Sequence, residues 1–280
     1  MSSLSILFIA DICGRPGRQA VAHMLKDLRE EHSADLVVAN IENAAGGFGV
    51  TPEMAQKIFA YGVDIQTSGN HIWDRVQILE YIADTPRLLR PANYPRQAPG
   101  SGVHVVEIRE HKIAVVNLMG RVYMHTLDCP FKTADRILSR LEGVHTVLVD
   151  FHAEATSEKQ AMLYHLDGKV SAIIGTHTHV RTADARISSR GTAYVTDAGM
   201  TGAHQSIIGM EVGPSLGRFL TGMPKRFSTA SEDVKLQGVV VTVDPSDGHA
   251  TSFESFTHDF DLAAYQGSKA DNNSESDTSA

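Results

Sequence analysis

Cysteine is scarce in this chain, since Cys13 and Cys129 are the only two among 280 residues. Two cysteines at this separation supply neither a disulfide framework nor the paired spacing of a zinc-binding knuckle. We therefore expect a protein of a reducing environment. With 42% hydrophobic and 21% charged residues, the composition is that of a globular chain with a sizeable core.

Long apolar runs are also missing. The run near the N-terminus, residues 5–10, stops at Asp11 and has no basic segment in front of it. It is too short for a membrane span and lacks the features of a signal peptide. We expect a cytoplasmic protein that makes no contact with a membrane.

Positive charge is in deficit as well. The 25 lysines and arginines are outnumbered by 33 aspartates and glutamates, which gives a formal net charge of −8 at pH 7. An acidic chain is a poor partner for long nucleic acid, because that affinity comes from neutralising phosphates. The glycine-rich segment 45–49 is not followed by the Gly-Lys-Ser/Thr of a P-loop. A small phosphate compound held at a metal is compatible with this balance.

The chain does contain a series of short apolar runs, each followed by a polar residue. The runs at residues 5–10, 35–41 and 146–150 are continuous, as expected of strands buried on both faces. Helical patterns between the early runs and hairpin-like strands later in the chain predict an α/β fold with mixed sheets. About ten strands exceed one comfortable open sheet. We therefore predict two mixed β-sheets packed face to face and flanked by helices, a four-layer sandwich.

The domain organisation is predicted to be simple. Residues 1–262 are expected to form one domain, because 280 residues are within reach of a single large α/β unit. Residues 263–280 are expected to be a flexible polar tail. Residues 266–280 contain no large apolar side chain that could order them.

The polar residues that follow the apolar runs are of the types that bind metals. In chain order they are Asp11, Glu42, Asn70, His152, His177 and His179. The last two are predicted to lie in an extended segment, where residues two apart project to the same side. Each residue alone has an ordinary explanation, such as a helix cap, a solvated acid or a half-buried histidine. Together, at the carboxyl ends of strands, they predict a two-metal site for phosphate-ester chemistry.

Two blocks of sequence, Gly69-Asn70-His71 and Gly175-Thr176-His177-Thr178-His179, resemble the calcineurin-like metallophosphoesterases. That family has blocks in the order D-x-H, a second acidic block, G-N-H, a lone H and G-H-x-H. Here Cys13 replaces the first histidine, Glu42 replaces a bridging aspartate, and one residue is inserted before the last histidine pair. These departures resemble the bacterial YmdB-like branch of the family. Three further segments share that resemblance: Asn-Ile-Glu-Asn at 40–43, Cys-Pro-Phe at 129–131 and Gly-Met-Thr-Gly at 199–202.

The resemblance covers residues from about 6 to 256 and implies the same two-sheet fold with a dinuclear centre. The ligand sets that it implies are Asp11, Glu42, Asn43 and His179 for one metal, and Glu42, Asn70, His152 and His177 for the other. It further implies attack on phosphorus by a hydroxide that bridges the metals, with His71 as proton donor. Nitrogen and oxygen ligands suit iron, manganese, zinc or cobalt without choosing among them. We expect iron first, with manganese or zinc as alternatives, and a structural role for Cys13.

The branch implies a small phosphodiester as the substrate, above all a 2′,3′-cyclic nucleotide. Two alternatives stay open: a phosphomonoesterase or nucleotidase with the same metals, and a non-catalytic metal-bound scaffold. A complete set of histidine ligands together with His71 favours an enzyme. Segments 120–131 and 199–206 are candidate pocket walls, and loop packing is preferred over substrate contact for Arg121 and Tyr123. Residues 210–227 are a candidate homo-oligomer contact, with ordinary packing as the alternative.

Overall fold

The computed structural model describes residues 3–262 and residue 264. The strands of this part are β1 (Leu4–Ile9), β2 (Asp11–Ile12), β3 (Leu36–Asn40), β4 (Ile65–Thr67), β5 (Val103–Ile108), β6 (His111–Met119), β7 (Thr146–His152), β8 (Ala172–Thr176), β9 (Arg186–Ile187), β10 (Ala193–Val195), β11 (Met200–Ala203), β12 (Val234–Val243) and β13 (Ala250–Phe260). The helices are α1 (Gly14–Glu31), α2 (Pro52–Ala60), α3 (Ile78–Ala83), α4 (Pro130–Leu138), α5 (Thr156–Leu166) and α6 (Val212–Thr221).

The first sheet is centred on β1, which pairs in parallel with β3 and antiparallel with β12. Strand β4 extends the parallel side, while β13 pairs antiparallel with β12. The short β11 and β2 continue the sheet beyond β12. Every residue of β3 is buried, which accounts for its continuous apolar run.

The second sheet has the order β5-β6-β7-β8-β10-β9. Its four central strands, β6, β7, β8 and β10, run parallel, and β5 and β9 pair antiparallel at the two edges. The carboxyl ends of the central strands therefore open on one edge, where an α/β protein gathers its ligands.

Three apolar clusters separate four layers. Alternate residues of β1 point to opposite faces, so that Ile6 and Phe8 join the cluster between the two sheets while Leu7 and Ile9 face α1 and α2. On the outer face of the second sheet, Phe151 packs with side chains of α5. The order helices, sheet, sheet, helices confirms the predicted α/β sandwich of two mixed sheets.

Two other predictions meet the limits of the described chain. The polar tail predicted over residues 263–280 lies outside the described residues, apart from residue 264, and the single-domain boundary stays a prediction. Within the described part, no helix has the length and apolarity needed to cross a lipid bilayer.

Candidate metal centre

The predicted ligands converge where strands of both sheets end. Asp11 opens β2 directly after β1, Glu42 follows β3, and Asn70 follows β4. From the second sheet, His152 is the last residue of β7 and His177 comes directly after β8. Packing the sheets face to face is what brings these strand ends together, since the residues are up to 166 positions apart in the chain.

His152 contacts each of the other three residues of a first group, which are Glu42, Asn70 and His177. Its Nε2 lies 2.8 Å from a carboxylate oxygen of Glu42, 3.0 Å from Oδ1 of Asn70 and 3.1 Å from Nδ1 of His177. The ligand atoms of Glu42, His152 and His177 all lie within 4.8 Å of one another. The two imidazole rings meet edge to face with centroids 4.7 Å apart.

The other ring nitrogen of His152 reveals which atom carries the proton. Nδ1 lies 2.9 Å from the hydroxyl of Thr176, and that hydroxyl donates its own proton to Asp150 at 2.6 Å. Thr176 can therefore only accept from Nδ1–H, which leaves a lone pair on Nε2 of the neutral ring. His177 is oriented in a similar way, because its Nε2 lies 3.1 Å from a carboxylate oxygen of Glu154. Carboxylate-anchored imidazoles of this kind are the usual support of metal-binding histidines.

Four atoms with lone pairs thus converge in the interior: a carboxylate oxygen of Glu42, Oδ1 of Asn70, Nε2 of His152 and Nδ1 of His177. Repulsion between them is relieved by a proton on Nε2 or by a cation among the four atoms. The pKa values of the three titratable groups are consistent with a positive charge among these four atoms. Burial alone would lower the pKa of His152, but Glu42 and Asp11 raise it to about 9. Burial opposes ionisation of Glu42, yet the positive His152 brings its pKa down to about 2. Burial, followed by the charge of His152, lowers the pKa of His177 to about 3. The donor set fits a transition-metal ion.

His179 and Asn43 form a second group, and both line the same cavity as Glu42. Nδ1–H of His179 donates to the carbonyl of Ile208 at 2.9 Å, which leaves Nε2 without a proton, 3.2 Å from Oδ1 of Asn43. The amide nitrogen of Asn43 donates to the carbonyl of Gly47 at 2.8 Å and so fixes Oδ1 toward the histidine. Two lone-pair atoms face each other here too, and a cation between them would again remove the repulsion.

Asp11 contacts the segment that carries His177. The carboxylate is fully buried, and one oxygen accepts the backbone N–H of His177 at 2.9 Å. The other oxygen has no hydrogen-bond partner among the described residues. Burial raises the pKa of Asp11 well above its usual value, only partly opposed by the nearby His152. An orphaned oxygen in the interior is costly, and a cation beside it would remove that cost. The assignment of these residues to two metal ions stays a prediction.

The backbone around His177 and His179 differs from the prediction. Both residues have positive φ, 101° and 61°, so the segment is a left-handed turn and the expectation of an extended segment was wrong. Non-glycine residues hold such angles only where the surroundings impose them. The turn begins where β8 ends, and it carries the two rings into different groups.

A buried aspartate that sequence reasoning missed secures this turn. Asp197 accepts the N–H and the hydroxyl of Thr178 at 3.0 and 2.8 Å, and the ammonium of Lys159 at 2.9 Å. Both charged side chains are almost fully buried, with 1% and 0% exposure. Because Thr178 lies between the two histidines, the ion pair fixes the residue on which both ring positions depend. Asp150 plays a comparable part, accepting hydrogen bonds from Thr176 and Asn40. A carboxylate inside or just after an apolar run was the available signal for both.

His71 lies beside the first group. Its backbone N–H donates to Glu42 at 3.0 Å, and its Nδ1 lies 2.7 Å from the carboxylate of Asp74. That carboxylate holds the Nδ1 proton and leaves Nε2 for a partner in the adjoining cavity, which His71 lines. Asp74 was not predicted from sequence, although an acid three residues after a histidine can reach its ring within one turn.

Gly69 lies so close to a neighbouring side chain that there is no room for a Cβ atom. A Cβ placed on it would overlap the ring of His152. We expect Gly69→Ala to displace that ring and to lower both the metal content and kcat while most of the fold is retained. Elemental analysis and circular dichroism on the purified variant check this. The matched control is Gly213→Ala, since a Cβ there meets nothing within 4 Å and the backbone of Gly213 does not have a positive φ. Full metal content in the Gly69 variant would show that the ring position is not critical.

A cavity of about 530 Å³ opens from the centre. Its polar end is formed by Glu42, Asn43, His71, His177 and His179, and its remaining wall by residues from 207 to 227 together with Gly47 and Phe48. The expectation that segments 120–131 and 199–206 form its walls was wrong, since neither supplies a lining residue. Tyr123 is 91% exposed, and the N–H of Arg121 bonds to Glu158. Neither residue lines the cavity.

Comparison with known proteins gives consistent matches along nearly the whole chain. A family model described as YmdB-like protein matches residues 7–256. A Bacillus subtilis protein named 2′,3′-cyclic-nucleotide 2′-phosphodiesterase is 42% identical over 252 residues, covering 90% of this chain and 96% of its own. A crystal structure of a phosphatase from Mycoplasma pneumoniae superposes with a TM-score of 0.89 at 33% identity, covering 95% and 97% of the two chains. An NAD nucleotidase of Haemophilus influenzae shares the fold alone, with a TM-score of 0.61 at 14% identity over 92% of this chain and 56% of its own.

Proposed function

The chain belongs to the YmdB-like family, as the sequence blocks implied, and we propose that it is a dinuclear-metal phosphodiesterase that hydrolyses 2′,3′-cyclic nucleotides. Its broader class, a phosphoric-ester hydrolase, is supported by relatives named as phosphodiesterase and phosphatase. The observation that supports the proposal is the convergence of the ligand atoms of Glu42, His152 and His177 within 4.8 Å of one another.

The residues that would hold the metals are those of the two groups. Asp11, Glu42, Asn43 and His179 would hold one ion, and Glu42, Asn70, His152 and His177 the other. The chemistry that two such ions supply is acidification of water and neutralisation of charge on phosphoryl oxygens. Iron, manganese or zinc suits these nitrogen and oxygen donors.

The chain's own contribution is orientation and proton transfer. Asp150 and Thr176 fix the tautomer of His152, and Glu154 orients His177. His71, anchored by Asp74 on Nδ1, would donate a proton from Nε2 to the oxygen that leaves phosphorus. A 530 Å³ cavity is large enough for a mononucleotide and too small for a folded polynucleotide.

A phosphomonoesterase is the second candidate, because the Mycoplasma pneumoniae relative of known structure is described as a phosphatase. The same two groups of ligands could serve either ester. A non-catalytic scaffold is disfavoured, since His71, its anchor Asp74 and every predicted histidine ligand are in place.

Metal content and comparative turnover on one preparation test the assignment. We expect two metals per chain and faster hydrolysis of 2′,3′-cyclic AMP than of p-nitrophenyl phosphate. His177→Ala should lower both metal content and turnover, because its ring is part of the first group. The matched control is His125→Ala, which removes an exposed histidine that does not line the cavity.

The outcomes separate the alternatives. Preference for the monoester would replace the phosphodiesterase assignment with a phosphatase. If the wild-type protein bound no metal and turned over neither ester after incubation with manganese or iron, the enzyme assignment would be wrong.

A further inference from the structure

The cavity beside the metal centre has one wall made of aromatic rings. The ring of Phe48 meets the ring of His71 edge to face, with centroids 5.1 Å apart. Phe48 in turn stacks with Phe227 at 6.3 Å. The ring contacts therefore lead from the predicted proton donor along the wall of the cavity, which Phe219 also lines.

Helix α6 supplies the outer part of this wall and is poorly buried. Among its residues only Ser215 is buried, and Phe219 is 79% exposed although it lines the cavity. An exposed phenylalanine at the edge of a cavity is unfavourable in water and gains free energy when a flat apolar ligand covers it.

The same wall carries a cation. Among the described residues that line the cavity, Arg218 is the only lysine or arginine, and its guanidinium lies over the ring of Phe227 at 5.4 Å. A planar guanidinium beside aromatic rings is suited to stacking on a heterocycle and to donating hydrogen bonds to its edge. The wall therefore offers stacked aromatic rings, an exposed phenylalanine and a guanidinium. An aliphatic group, or a sugar without a base, would not interact favourably with all three.

We propose that Phe219, Phe227 and Arg218 form a subsite for the nucleobase of the substrate. The subsite rests on the proposed function only in that the phosphate is placed at the polar end of the cavity. A nucleoside phosphate seated there has its base beyond the ribose, on the side of the aromatic wall. The subsite thereby selects nucleotides over small diesters that lack an aromatic base.

The test compares substrates with and without a base in Phe219→Ala. The substrates are 2′,3′-cyclic AMP and methyl riboside 2,3-cyclic phosphate, and binding of adenosine 3′-monophosphate is titrated by calorimetry. The matched control is Leu220→Ala, a neighbour on α6 that is 77% exposed and does not line the cavity. Phe219 is largely exposed too, so neither change removes core packing.

We expect Phe219→Ala to raise KM for the cyclic nucleotide and Kd for the monophosphate by about tenfold. Turnover of the base-free substrate and the metal content should be unchanged, and Leu220→Ala should behave as wild type. Equal losses on both substrates, losses shared by Leu220→Ala, or no loss at all would each overturn the subsite. If wild type hydrolysed neither diester but bound the monophosphate in a Phe219-dependent way, the subsite would stand and the proposed activity would be wrong.

Discussion

Replacing His71 with alanine is expected to lower kcat for 2′,3′-cyclic AMP by about 10²- to 10⁴-fold, the usual contribution of a positioned acid or base. The metal content should be unchanged, because the contact of His71 with Glu42 is made by the backbone N–H and survives the substitution. The Asp74 carboxylate that anchors Nδ1 would lose its partner at a site that is 41% exposed, where water replaces it. The variant should therefore fold normally and fail in turnover.

A second substrate separates proton donation from other roles of this side chain. The leaving alkoxide of a cyclic nucleotide is a strong base and needs a proton, whereas p-nitrophenolate leaves readily without one. The loss in His71→Ala should therefore be much smaller with bis(p-nitrophenyl) phosphate. Asp74→Asn should show a weaker form of the same pattern, because it removes only the anchor on Nδ1. Equal losses on both substrates would mean that His71 positions the substrate and does not protonate it.

The layers of the fold could be predicted because buried strands and helices have characteristic patterns of hydrophobic residues in the sequence. Continuous apolar runs correspond to β1, β3 and β7, which are enclosed between helices and a second sheet. The polar residue that ends each run was visible for the same reason. It interrupts an apolar pattern at the point where the strand meets the open edge of the sheet.

Helix α6 could not be predicted on that basis. Its sequence contains Gly213, Pro214 and Gly217, residues of low helix propensity, and the segment was interpreted only as apolar residues broken by glycine and proline. The proline is tolerated because it lies in the first turn, where the missing N–H would have no partner within the helix. Only Ser215 of this helix is buried, because the helix lines a cavity and does not pack on the core.

The supporting residues of the site were hidden for a different reason. Asp197 and Lys159 are 38 residues apart in sequence, and their pairing depends on how α5 lies against the end of β10. The left-handed turn at His177 and His179 depends on that pair and cannot be read from local pattern. Sequence thus identified the types of side chain that could bind metal, while the tautomers and backbone angles that orient these side chains depend on tertiary contacts.

Replacing Glu42 with glutamine tests the dinuclear centre itself. One oxygen of this buried carboxylate faces Nε2 of His152 at 2.8 Å and the other accepts the N–H of His71 at 3.0 Å. Glutamine has the same shape, but it is neutral and its NH₂ can donate to Nε2 of His152. The amide would then remove the lone-pair repulsion that favours a cation. We expect metal content to fall well below two ions per chain and turnover to fall by about 100-fold or more, at least as large as the loss of a supporting group.

The comparison with His71→Ala makes this result specific. Excess metal should partly restore Glu42→Gln, because its defect is affinity, and should have no effect on His71→Ala, because its defect is proton transfer. Glu142→Gln is the matched control, since Glu142 is an exposed acid that does not line the cavity and belongs to neither predicted ligand set. It should lose far less metal than Glu42→Gln. Retention of two metals and wild-type turnover in Glu42→Gln would contradict a shared carboxylate between the two groups, and with it the dinuclear mechanism.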